Sequence, residues 1–188
     1  MARRYDPDRR QRIIDAAIRV VGERGIAGLS HRRVAAAADV PLGSTTYHFR
    51  TLDDLLVAAL EQLDAEWLAE FADWVAGIDL SVPLADEVIR YVADILGGDR
   101  AQVELMYELY LAALRHTAVR PIAAACLDEM TLVLGRRIGD LPTARAVAAF
   151  IDGLVLQHVL TGQPFEPAEM RAGLAGVLDR GPGRGGRS

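Results

Sequence analysis

The run Gly43, Ser44, Thr45, Thr46, Tyr47, His48 is poor in core-forming side chains and rich in groups suited to DNA. Small hydroxyl residues can approach groove edges closely, and Tyr and His can donate to phosphate oxygens. Gly43, Ser44, Thr45 and Thr46 are therefore expected to face bases. Tyr47, His48, Arg50 and Thr51 are expected to position phosphates, with help from Ser30 and Arg32. Catalytic chemistry finds no such footing. The histidines at 31, 48, 116 and 158 are scattered singly, without metal-like spacing, and no nucleophile elbow or phosphate-cradling glycine loop occurs. Cys126 sits among alanines and a leucine, the setting of an inert buried thiol. No catalytic residue, cofactor or metal ion is expected, and the chain does not read as an enzyme.

The elements that would carry these residues are helical. Ser30 can cap a helix over His31 to Ala38, because its hydroxyl can accept a free N–H of the first turn. Asp39, Val40 and Pro41 break that helix, since proline lacks an N–H and disfavours helical geometry before it. A second helix spans Leu42 to His48. Two short helices about a tight turn make a helix-turn-helix, with the second helix as reader. An earlier helix, opened by Asp6-Pro7 and stopped at Gly25, completes a three-helix head. Its expected core is Ile14, Ala17, Val21, Leu29, Val34, Val40 and Phe49. Arg3, Arg4, Arg9, Arg10 and Arg12 form a basic arm able to reach over a DNA backbone.

Charge is divided unevenly. Residues 1–50 hold ten arginines against five acids, a balance of +5, and the remainder holds eleven against twenty-one, a balance of −10, which together give the net −5. A basic head on an acidic body suits one end meeting a polyanion.

Thr51 caps a long helix, with Asp53 and Asp54 in its first turn, running from Leu52 to about Ala76, roughly 37 Å. Such a helix can act as a lever between head and body. Beyond Gly77 the punctuation is helical throughout. Helices are expected from Pro83 to Gly97, Arg100 to His116, Val119 to Ile138, Pro142 to Thr161 and Pro167 to Asp179. The fold class is all-α: a DNA-binding head over 1–51, a ligand-binding and dimerisation body over 52–180, and a disordered GPGRGGRS tail over 181–188. Trp67, Phe71 and Trp74, with Met106, Tyr107 and Tyr110, could line a cavity for an apolar or aromatic compound. They could equally be packed core. Glu104 and Glu108 would favour a cation in such a cavity, but their narrow polar stripe reads as solvent-facing. No run of eighteen apolar residues indicates a membrane span. The charged start lacks the apolar segment of a signal peptide, and the single cysteine fits a reducing cytoplasm.

Ile14, Ala17, Gly25, Leu29-Ser30, Val34-Ala35, Val40, Gly43-Ser44, Tyr47-His48-Phe49 and Leu55 make the first third of the chain resemble the TetR/AcrR family of bacterial transcriptional repressors. Asp39 stands where that family usually has glycine, which aspartate tolerates because it enters left-handed backbone. Thr45-Thr46 replaces a more usual Leu-Tyr pair. The resemblance implies an inducer pocket around the helix from Arg100. It also implies a homodimer whose last two helices pair across a two-fold axis. Phe150, Ile151, Gly153, Leu154, Val155 and His158 would lie at that seam. The expected function is a repressor of a palindromic double-stranded DNA operator, released by a small molecule. The alternative is a helical ligand-binding or interaction protein without operator specificity.

Overall fold

Two hydroxyl caps set the frame of the head. Ser30 Oγ accepts from Arg33 N at 3.3 Å. Thr51 Oγ1 accepts from Asp54 N at 3.1 Å while the Asp54 carboxylate accepts from Thr51 N at 2.9 Å, a reciprocal capping box. The bond from the Thr51 backbone holds the Asp54 carboxyl below its ordinary value. The computed structural model describes residues 7–178. Among them the elements are α1 (Arg9–Arg24), a 3₁₀ turn (Ile26–Gly28), α2 (His31–Ala37), α3 (Leu42–His48), α4 (Leu52–Gly77), α5 (Leu84–Gly97), α6 (Arg100–Ala112), α7 (Arg120–Ile138), α8 (Leu141–Thr161) and α9 (Pro167–Leu178). No strand occurs among the described residues, so the all-α reading holds. Arg3, Arg4, Asp6, Asp179 and the 181–188 tail lie outside the described residues.

The chain divides into two compact units: residues up to Glu66 with Glu104–Ala125, and Trp67–Val103 with the residues from Cys126 onward. The division therefore falls within α4 and α6 rather than at residue 51. In the first unit, Ile13, Ile14, Ala17, Val21, Leu29, Val34 and Phe49 are buried, together with Leu55, Leu56, Leu60 and Leu109 from α4 and α6. Val40 packs against this core half-buried. The start of α4 and the end of α6 thus belong to the core of the head. Polar bridges reinforce α1 on α4: Gln11 donates to Gln62 at 2.6 Å, and Gln62 donates to Asp15 at 3.2 Å.

α6 ends at Ala112, a turn earlier than expected. Ala113, Leu114 and Arg115 bond back three residues, to Tyr110, Leu111 and Ala112, so the chain tightens out of α geometry. His116, expected inside this helix, pairs instead with Asp53 at 2.9 Å.

In the second unit, α5 is the spine, with α8 and α9 packed on it. Asp140 caps α8 by accepting from Thr143 N at 2.8 Å, and Gly162 ends it in left-handed backbone (φ 64°). Arg171 of α9 pairs with Asp86 of α5, and Arg137 of α7 donates to the Ile78 carbonyl. By length and composition α8 could cross a membrane, yet it carries Arg145 and Asp152 and packs on α5.

Candidate functional site

The turn between α2 and α3 depends on Asp39. Its φ of 53° is the one positive value at a non-glycine residue among those described. Aspartate accepts this left-handed geometry at modest cost, so the turn forms without the glycine that the position usually takes. Ala38 N and Val40 N bond back to Val34 and Ala35, closing the turn. Arg19 of α1 reaches the Ala37 carbonyl at 3.0 Å, and Arg33 reaches the Gly28 carbonyl at 2.7 Å. Arg10 lies over the Phe49 ring, 5.2 Å from its centre. These arginines brace the head.

The reader helix α3 has two faces. Gly43, Thr46 and Tyr47 are exposed, Tyr47 at 82%, and Arg32, Arg50 and Thr51 are also exposed. His48 is half-buried and meets Tyr47 edge to face at 5.1 Å. Ser30 is half-buried, its hydroxyl engaged as the cap of α2. A phenol left this open on a short helix gains nothing from packing, and it stands ready to donate to a phosphate oxygen. Ser44 and Thr45 require a correction. They are 3% and 0% exposed. Thr45 Oγ1 donates to the Leu42 carbonyl at 2.8 Å, four residues ahead of buried Phe49 on the same helical face. Both pack into the head rather than facing bases, which leaves Gly43 and Thr46 as the base-facing pair of the expected four.

The expected ligand residues fall in different units. Trp67, Phe71 and Trp74 belong to the second. Trp67 stacks on Phe71 at 5.4 Å, and Phe71 meets Trp74 at 5.4 Å. Met106, Tyr107 and Tyr110 belong to the first, where Tyr107 is buried and Tyr110 packs against the head core. The structure adds a residue that the sequence reading passed over. Tyr91 of α5 stacks on Trp74 with ring centres 4.1 Å apart and planes 15° apart, and meets Phe71 edge-on at 5.8 Å. Burial pushes its phenol up, and the negative charges of Glu70 and Asp152 add to the rise. Asp152, on α8, is itself pushed up to about 6 by burial. It is the one acid in a helix that otherwise reads apolar, and that was the signal available in the sequence. The indole N–H of Trp74 is enclosed without a hydrogen-bond partner. Glu108, read as solvent-facing, accepts from Ile26 N at 2.7 Å.

The expected dimer seam also needs correcting. Ile151 and Val155 are 1% and 2% exposed within a single chain, on the inward stripe shared with Ala144, Val147 and Ala148. They are core. Phe150, Gly153, Leu154 and His158 are half-buried, and Leu160 is 75% exposed. His158 meets Phe165 edge-on at 5.5 Å. Cys126 is buried, as expected. Among the described residues no group of three His, Cys, Asp or Glu is placed to hold a metal ion.

Comparison with known proteins agrees along the chain. The model of bacterial regulatory proteins of the tetR family matches residues 13–59, and that of the tetracyclin repressor-like C-terminal domain matches 83–180. The transcriptional regulator BetI 2 of Chromohalobacter salexigens is 29% identical over 182 residues, covering 88% of this chain and 84% of that protein. The crystal structure of the multidrug binding protein EbrR with imidazole is 54% identical, with a TM-score of 0.83 over 92% of this chain and 96% of that one. EbrR with ethidium is 55% identical, with a TM-score of 0.77 over 90% and 98%.

Proposed function

The chain belongs to the TetR family of bacterial transcriptional regulators and is a DNA-binding regulator with a ligand-binding domain, and we propose that it is a repressor that grips a palindromic operator as a homodimer and leaves it when an aromatic effector binds. The observation that carries this reading is the reader helix: it is braced on all sides by the head, yet holds Tyr47 out at 82% exposure. On DNA, Tyr47 and half-buried His48 would donate to phosphates, with Arg32, Arg50 and Thr51 adding contacts beside them. Gly43 and Thr46 would approach the base edges. Such a short helix covers few base pairs, so useful specificity calls for two copies about 34–36 Å apart, or a multiple, on one face of the duplex. The apolar face of α8 that its own chain leaves uncovered, with Leu160 at its end, supports pairing through this helix. A regulator of this kind works in the cytoplasm, beside the DNA, and has no catalytic task.

The effector site we assign to the ring cluster of Trp67, Phe71, Trp74 and Tyr91. Flat rings in contact present apolar faces to a planar guest. EbrR, similar to this chain, was solved with ethidium, proflavin and malachite green, which are flat aromatic dyes. Coupling of about 1–3 kcal/mol between the two sites would lower operator affinity roughly 5–150-fold. The test has two parts. Selection of bound fragments from genomic DNA should yield an inverted repeat, and ethidium should displace the protein from a labelled copy of it. Recovery of no enriched sequence would defeat the operator reading. Displacement that proceeds equally well on scrambled DNA would mean that the dye acts on the DNA instead.

A further inference from the structure

The ring cluster carries charge as well as apolar surface. Trp67, Glu70, Phe71 and Trp74 come from α4, Tyr91 from α5 and Asp152 from α8, which packs on α5. Trp74 and Tyr91 lie face to face at 4.1 Å. The charges felt at the Tyr91 phenol, those of Glu70 and Asp152, are both negative. Aromatic faces carry negative potential of their own. The surroundings of this stack are thus of one sign, and a cation is their complement. Asp152 makes the argument directional: it is part-buried, and burial has raised its carboxyl to about 6, so its charged form is held at a cost that a nearby positive charge would relieve. A neutral guest of the same shape would gain stacking and leave that cost standing. The enclosed Trp74 N–H adds a donor for a heteroatom of the guest.

We propose that Asp152, backed by Glu70, is the counter-charge that makes this site select aromatic cations over neutral aromatic compounds of the same shape. The proposal rests on reading the ring cluster as the effector site. Neither acid belongs to the polar stripe of α6, where Glu108 is committed to Ile26 N.

The experiment titrates the full-length protein at pH 7.5 with ethidium and with phenanthridine, its uncharged parent ring system. Tryptophan quenching is the readout, for wild type, Asp152→Asn and Glu70→Gln. Wild type should bind ethidium the more tightly. Asp152→Asn should weaken ethidium by about tenfold or more and leave phenanthridine within about twofold, because a charge is removed without a change of shape. Glu70→Gln, at an exposed position, should cost ethidium alone a smaller factor, about two- to fivefold. Equal losses for both probes, or none for ethidium, would overturn the proposal, as would a wild type that binds the two alike. Should Asp152→Asn fail to fold, a selective loss in Glu70→Gln supports the proposal and an unselective one overturns it. Operator release is scored separately. Ethidium that binds through Asp152 but leaves DNA bound defeats the sensor reading alone, and ethidium that releases DNA from Asp152→Asn at unchanged affinity defeats this inference alone.

Discussion

The carboxylate of Glu108 accepts a hydrogen bond from the backbone N–H of Ile26 at 2.7 Å, joining residues 82 apart in sequence. Ile26 opens the 3₁₀ turn that leads into the helix-turn-helix, so this bond fastens α6 to the DNA-binding head. Close by, Gly25 has positive φ (68°), and an added Cβ would come within 3.0 Å of the same carboxylate oxygen. Glycine is therefore required there by backbone and neighbour together. α6 is the element that the family resemblance connects with the effector, and Glu108 is its polar contact with the turn.

Replacing Glu108 with alanine should strip the Ile26 N–H of its partner at a cost of about 1 kcal/mol, since the site is open to water. Thermal unfolding should shift down by a few degrees, and operator affinity should fall with it as the head loses a brace. Glu108→Gln keeps an acceptor of the same reach and should recover most of both. Equal effects of the two substitutions would show that charge, and not this bond, matters at the position.

The two faces of α3 separate cleanly by mutation. Thr45→Ala removes a buried hydroxyl bonded to the Leu42 carbonyl and should cost about 1 kcal/mol of stability while leaving sequence preference alone. Tyr47→Phe should leave stability unchanged and weaken binding to operator and scrambled DNA alike, with a shallower salt dependence. Thr46→Ala should alter preference between operator variants. Calorimetry and binding titrations at several salt concentrations separate these outcomes, and a Tyr47→Phe protein with wild-type affinity would remove the phosphate contact.

Much of this was legible in residue types. Ser30, Thr51 and Gly162 mark helix ends by local chemistry that needs no tertiary partner, and all three sit where that chemistry puts them. The core of the head followed from helical spacing. Ser44 and Thr45 misled because a small hydroxyl suits a groove and a tight core equally; only their position one turn before Phe49 pointed inward. Ile151 and Val155 misled because α8 is apolar on most sides, so composition could not say which face its own chain covers. The ring cluster was read in part: helical spacing brought Trp67, Phe71 and Trp74 together, but Tyr91 and Asp152 join them through packing between helices, which spacing within one helix does not encode.

Asp152 gives a pH prediction. Its carboxyl is raised by burial from 3.8 to about 6, so the folded chain holds this proton more tightly than the unfolded one. Wild type should therefore lose stability as pH rises from about 4 to about 6 and stay at the lower level above that. The loss has an upper bound of about 3 kcal/mol. Asp152→Asn carries no ionisation cost and should be more stable than wild type at pH 7.5, while the two converge near pH 4. Denaturant titrations at both values test this, and a variant destabilised equally at each would show that Asp152 acts through hydrogen bonds instead.

Leu160 and Val155 lie five residues apart on α8, one 75% exposed and the other 2%. If the uncovered face of this helix forms the dimer seam, Leu160→Arg sets a charge into an apolar contact without disturbing its own chain's core. The charge would sit unpaired wherever two copies meet, at a cost of several kcal/mol. The variant should keep its helical circular dichroism and cooperative melting, sediment as a monomer, and lose operator binding, because one head alone spans too few base pairs. Val155→Arg buries the same charge inside the subunit and should abolish cooperative unfolding whatever the assembly state. A Leu160→Arg protein that is folded, dimeric and still bound to its operator would move the seam off this end of α8.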